Sequence, residues 1–383
     1  MTRVLVAPDK FKGSLSAAEV AAALSAGITA ADSSWTVRAV PIADGGDGTV
    51  AAALAAGWSP VSAPTVGATG QPHTTQYAVR GSSALIELAS AVGLATLPGG
   101  QLDPLGASTF GLGTVIKHAL EAGAGEIIIG VGGSASTDGG AGMLQALGAR
   151  ILDRDGIALG LGGGALADAD RLDLSGLHPA VSGTRFSLAS DVDNPLLGPL
   201  GAAAVYGPQK GADVHDVARL EAALTTWARV VADATGRDDS RTPGTGAAGG
   251  TVFGAMSVLG ATVHPGIDMV LDLVDFDRQL DGADLVVTGE GSLDEQSLHG
   301  KAPIGVATRA RAAGIPVVAV AGRSQLGAEQ LRAAGIEALF TLTDLEPDVT
   351  RCIADAAALL TRLGRQLVAT PIGLASTRHQ GES

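Results

Sequence analysis

The chain has one cysteine, Cys352, which argues against an internal disulfide and a cysteine-built metal cage. Aromatic residues make up only 3%, and 25 basic residues face 39 acidic ones, for a net charge of −14. A nucleic-acid surface uses basic stripes and stacking rings, so that class of function is disfavoured. A small anionic substrate is not, because a local basic cluster overrides the global field. Long hydrophobic runs are also missing. The N-terminus, MTRVLVAPDKFKG, has too short an apolar run for a signal peptide, and no later run would span a bilayer. The expectation is a cytoplasmic protein with no membrane or nucleic-acid partner; its oligomeric state stays open, a homo-oligomer included.

Glycine is what the chain has in excess: 55 of 383 residues, about twice the usual share. The glycines fall between apolar runs, so they signal tight loops rather than disorder. A chain of this length suits two domains with large cores.

Residues 127–149, IIIGVGGSASTDGGAGMLQALGA, are the most informative stretch. An apolar strand leads into a loop of glycines and hydroxyls, and Met143, Leu144 and Leu147 then fall at helical spacing. Strand, glycine-rich loop and helix together gather free backbone N–H groups around an anion. The usual P-loop is absent, since no Lys-Ser or Lys-Thr pair follows the glycines. A dinucleotide fingerprint fits loosely from Gly130 to Ala135, with Asp153 about the right distance on. A tight turn with small residues for packing is the bland alternative.

Other strand ends carry charge. Residues 4–7 read as a strand that releases Pro8-Asp9-Lys10-Phe11-Lys12-Gly13-Ser14, followed by a capping box from Ser16 to Glu19 and a helix stopping at Gly27. If that segment is extended, Lys10 and Lys12 face one way and Phe11 the other. Two ammonium groups beside a helix N-terminus suit a carboxylate or phosphate. Residues 37–42 form a second strand ending in Asp44-Gly45-Gly46-Asp47-Gly48-Thr49. There Asp47 or Thr49 can cap the next helix, and Asp44 is left for a ligand or metal. Residues 186–189 form a strand ending in Ser190-Asp191-Val192-Asp193; hard oxygens in such a pair suit Mg²⁺ shared with phosphates. A second glycine-rich loop, GTGAAGGTVFG, spans 244–254, and a strand at 284–288 ends in Gly289-Glu290-Gly291.

Strands near residues 4, 37, 284, 316 and 338 alternate with helices, as a doubly wound α/β sheet requires. The expected organisation is a discontinuous first domain, 1–62 with 285–383, and an inserted α/β domain, 63–284. The active cleft is expected to lie between them. Residues 59–80 read as a crossing, 160–164 and 168–173 as surface loops, and 370–383 as a frayed tail.

In this order APDKFKGSLSA, PIADGGDGT, GVGGSASTDGGAGMLQALGA, ASDVDNPLLG, GTGAAGG and VTGEGSLDEQSLHGK resemble the bacterial glycerate kinases of the type I family, to about residue 370. The resemblance implies ATP-dependent phosphorylation of D-glycerate, usually to 2-phosphoglycerate, with a 3-phosphoglycerate-forming enzyme as the alternative. It also implies a flavodoxin-like domain beside a second mixed α/β domain. Phosphoryl transfer needs cradled phosphates, Mg²⁺, an aimed hydroxyl and a carboxylate for its proton. On that reading Gly132, Gly133, Ser134, Ser136, Thr137 and Asp138 bind ATP. Asp191 and Asp193 serve as metal ligand and base, with Asp191 and Lys10 the catalytic pair. Lys10, Lys12 and Ser14 bind the substrate, and Asp44 and Asp47 take glycerate hydroxyls or a second metal. Two other readings remain: an NAD-dependent oxidoreductase using the Gly130 loop and Asp153, and a non-catalytic metabolite-binding protein.

Overall fold

The structure, a computed structural model, describes residues 2–370; beyond Thr370 the expected tail lies outside the described residues. The chain divides into two compact units. Within the described residues one comprises 2–44, 51–56 and 267–370, and the other 45–50 and 57–266. These junctions fall earlier than the expected ones at 62/63 and 284/285, for two reasons. Ser59–Val66 is already the edge strand of the second unit's sheet. The helices Gly266–Leu273 and Phe276–Leu280, which had no counterpart in the sequence reading, bury Val270, Leu271 and Phe276 in the first unit's core.

The first unit is built on an all-parallel sheet. From one edge it runs Thr36–Ala39, Arg3–Pro8, Leu285–Leu293, Val317–Ser324, Ala338–Thr341. In chain order this is 2-1-3-4-5, the flavodoxin-like arrangement. Alternation along the strands gives the sheet two apolar faces. Leu5, Ala7 and Val286 enter one core, with the helix Ala302–Ala312. Val4, Val6 and Val287 enter the other, under the helices Ala17–Ala31 and Ala356–Ala369. The capping box forms as expected, with the Ser16 and Glu19 side chains each accepting the other's backbone N–H. Gly27 does not stop that helix. It sits inside it, where a Cβ would lie 2.1 Å from the Thr361 carbonyl oxygen. The glycine is there so that two helices can approach closely.

The second unit holds a six-stranded mixed sheet: Thr262–His264, Arg185–Ala189, Glu126–Gly130, Ser83–Glu87, Pro72–Arg80, Ser59–Val66. The first four strands run parallel and the last two are added antiparallel. The stretch read as a crossing is therefore a hairpin; its prolines are tolerated because Ser59–Val66 is an edge strand. Two segments read as surface loops are also structured. Gly163–Asp168 is a short 3₁₀ helix burying Leu166, and Arg171–Asp173 pairs with Arg150–Leu152. The helix Val214–Thr235 lays Trp227 fully into the core, where its Nε1 donates to the Gly139 carbonyl at 3.0 Å.

Candidate active site

In the first unit the strand Arg3–Pro8 sits mid-sheet, with its successor Thr36–Ala39 on one side and Leu285–Leu293 on the other. The winding direction reverses there, and such a switch point opens a crevice at the strands' carboxyl ends. A pocket of about 500 Å³ occupies this crevice. Lys10, Lys12 and Ser14 line it from the segment after the first strand, Asp44 from the segment after the second, and Glu290, Lys301 and Arg323 from the opposite side. Phe11 turns into the core, with Lys10 half-buried and Lys12 exposed, but residues 12–14 form a turn closed by Phe11 and Leu15 rather than the extended run on which the alternation depended. The Ser14 hydroxyl donates to the Ile353 carbonyl at 2.7 Å and so ties the rim together.

Asp9, to which the sequence reading gave no role, is the pocket's most perturbed group. It is 5% exposed, its backbone N–H donates to Gly289 and its Oδ1 accepts from the Lys10 N–H at 2.6 Å. Burial, then the neighbouring Asp44 carboxylate, push its pKa up to about 7, with Lys10 pulling the other way. Glu290 is also raised, first by burial, while the Ser297 hydroxyl it accepts from and Lys301 at 3.8 Å oppose the shift. It lies within the strand, which continues to Leu293 rather than ending at residue 288. A carboxylate at a strand tip is a visible signal. Which one is buried beside another carboxylate is not, because that depends on which strands are neighbours.

The second unit gathers another group. Glu126–Gly130 and Arg185–Ala189 are parallel neighbours, so the loops after Gly130 and Ala189 leave the same end of the sheet. Gly132 and Gly133 are the accessible part of the glycine loop. Ser134, Ser136, Thr137 and Asp138, expected to face a nucleotide, are buried instead. Asp138 accepts from the Thr109 N–H at 2.7 Å, the Thr109 hydroxyl at 2.8 Å, and the Gly140 and Gly142 N–H groups. That carboxylate holds the loop's shape. The second glycine-rich loop packs on the first: Ala248, Gly249 and Gly250 are consecutive left-handed residues, and the Gly139 N–H donates to Gly249. Lys210 is 2% exposed and its ammonium donates to the Ser136 carbonyl. Burial pushes its pKa down to about 8, with Asp138 opposing.

Asp191 and Asp193 are both exposed; Asp191 accepts from the Gly266 N–H at 2.8 Å. Their hard oxygens suit Mg²⁺ that completes its shell with phosphate and water. Among the described residues no cluster of three or more His, Cys, Asp or Glu is placed to hold a metal unaided. Asp44 and Asp47 part company: Asp44 lines the first unit's pocket, whereas Asp47 is exposed on a segment packed against Gly132 in the second. The Thr49 hydroxyl donates to the Gly46 carbonyl at 2.7 Å. The Glu87 carboxylate accepts from the Val50 N–H at 2.6 Å. The dinucleotide reading loses its acidic residue, because Asp153 closes its own turn by accepting from Asp155 and Ile157 N–H groups. No helix among the described residues is long and apolar enough to cross a membrane.

A profile described as the glycerate kinase family matches residues 4–371. The chain is 41% identical over 378 residues to a glycerate kinase of Bacillus subtilis, covering 98% of this chain and 99% of that one. It is 39% identical over 371 residues to the glycerate 2-kinase of Escherichia coli, covering 96% and 97%. A crystal structure from Salmonella typhimurium LT2, assigned as glycerate kinase 2, superposes with a TM-score of 0.83 at 40% identity, covering 96% and 97%. With the family profile spanning nearly the whole chain and relatives matched along nearly their full length, the chain belongs to the glycerate kinase family, phosphotransferases with an alcohol group as acceptor.

Proposed function

We propose that this chain is a cytoplasmic, ATP- and Mg²⁺-dependent kinase that phosphorylates D-glycerate at its 2-hydroxyl. The observation that carries the reading is the first unit's pocket, where Lys10, Lys12, Lys301 and Arg323 meet the carboxylates of Asp9, Asp44, Glu290 and Asp294 at the sheet's switch point. A hydroxy acid needs a cation for its carboxylate and an acceptor for its hydroxyl proton, and this pocket supplies both. Lys10 and Lys12 hold the glycerate carboxylate and Asp44 accepts from a hydroxyl. Ser14, tied to Ile353, shapes the rim.

In the second unit the backbone N–H groups of Gly132 and Gly133 suit phosphate oxygens, as glycine-lined strand ends do. Asp191 and Asp193 hold the Mg²⁺, which when bound neutralises charge on the transferring phosphoryl group. Ser134, Ser136, Thr137 and Asp138 act behind that surface by fixing the loop. A buried Lys210 pins the Ser136 carbonyl from beneath.

The test is ADP release with D-glycerate, ATP and Mg²⁺, followed by ³¹P NMR of the ester. Turnover giving 2-phosphoglycerate supports the reading, and turnover giving the 3-phosphate corrects the position. No ADP release across pH 6–9 overturns it.

A further inference from the structure

We propose that Asp9 is the group that takes the proton from the acceptor hydroxyl, acting within the pocket of the first unit. The proposal rests on reading that pocket as the D-glycerate site. Its basis is placement. Asp9 is the first residue past the strand Arg3–Pro8, held by its own N–H to Gly289 and by the Lys10 N–H on Oδ1. A base has to be fixed in one orientation before it can receive a proton in the transition state, and these two bonds supply that.

Two of the other carboxylates facing the pocket, Glu290 and Asp294, are engaged by the turn beside them. Glu290 accepts from the Ser297 hydroxyl and pairs with Lys301. Asp294 also pairs with Lys301 and caps the turn through the Ser297 N–H. Asp44, from the neighbouring strand end, raises the affinity of Asp9 for a proton, and Lys10 lowers it. Lys12 and Arg323 add positive charge to the same cavity. The balance sets Asp9 near neutrality, the range in which a base is both free to accept and strong enough to matter.

The step balances. The acceptor oxygen forms a bond to the γ-phosphorus of the nucleoside triphosphate, and the bond from that phosphorus to the bridging oxygen breaks. Its electron pair leaves on the nucleoside diphosphate. The hydroxyl proton passes to the Asp9 carboxylate and from there to solvent.

Asp9→Asn keeps an oxygen for the Lys10 N–H and removes the base. Its kcat is expected to fall by about 10² to 10⁴-fold, with the D-glycerate KM changed by less than about fivefold. The wild-type kcat should rise with pH along a limb centred near 7, and Asp9→Glu should restore part of the activity with that limb displaced. A folded Asp9→Asn enzyme within tenfold of wild-type kcat, with its limb intact, overturns the assignment. If the variant does not fold, a wild-type profile flat between pH 6 and 8 overturns it instead. Failure of the wild-type enzyme to turn over D-glycerate at any pH would sink the underlying reading. Turnover that survives in Asp9→Asn sinks only the role of Asp9.

Discussion

Asp138 has a full set of donors in the loop after Gly130, and it has them while entirely buried. Asp138→Ala would leave the Thr109 N–H and hydroxyl and the Gly140 and Gly142 N–H groups without their acceptor. The expected cost is about 3 kcal/mol or more, since each buried orphan donor costs about 1–3 kcal/mol. Urea denaturation should show it as a lower midpoint. A site role without a structural one would leave the midpoint unchanged. Lys10 carries the opposite expectation. Lys10→Ala should raise the D-glycerate KM about 10- to 100-fold, the worth of a hydrogen bond to a charged group, and leave stability nearly alone. Asp191→Ala should cut kcat by at least about 10²-fold with unchanged secondary structure by circular dichroism. At this scale the sequence showed which residues are polar at strand ends, and Lys10, Lys12 and Asp44 do share a pocket. It could not tell an aspartate that faces a ligand from one that faces its own backbone. The glycines and hydroxyls around Asp138 look the same in both cases.

Elements repeat the lesson with packing in place of polarity. The helix Ala17–Ala31 crosses Ala356–Ala369 so closely that Gly27 and Gly364 each face the other helix's backbone; a Cβ on Gly364 would lie 2.5 Å from the Leu24 carbonyl oxygen. Gly27→Val should therefore force the two helices apart and cost about 3 kcal/mol or more, at or above the usual range for overpacking. A chemical denaturation curve reads this directly, and a loss below about 1 kcal/mol would mean that the pair relaxes freely. From sequence alone Gly27 was a helix stop, because the only glycine signal a helix carries locally is its C-terminus. The close partner, Thr361, lies more than 300 residues away. The hairpin of Ser59–Val66 and Pro72–Arg80 was hidden for a related reason: prolines argue against a strand unless it is known to be an edge.

For the whole molecule, two buried charges set how stability depends on pH. Asp9 holds its proton up to about pH 7 in the fold, against an ordinary value of 3.8. Between those values the folded chain binds more protons than the unfolded one. The associated stability is full below 3.8 and fades by about 4 kcal/mol as pH rises through 7. Lys210 sheds its proton near 8 in the fold, against 10.5 ordinarily. Here the unfolded chain binds more protons, so stability grows by about 3 kcal/mol as pH rises from 8 towards 10.5. Denaturant midpoints across pH 4–10.5 should show both trends. Asp9→Asn should flatten the difference on the acid side and Lys210→Met on the alkaline side, and parallel curves for wild type and variant would refute either term. The sequence by itself determined the alternation of apolar strands with helices, the glycine-rich and charged strand ends, and the family whose motifs those are, because period and spacing are local properties. Only the tertiary structure decided where the units part, which carboxylates are buried beside each other, and which loop residues face inward. Burial and pairing come from strand order and helix packing, and those bring together residues hundreds of positions apart in the chain.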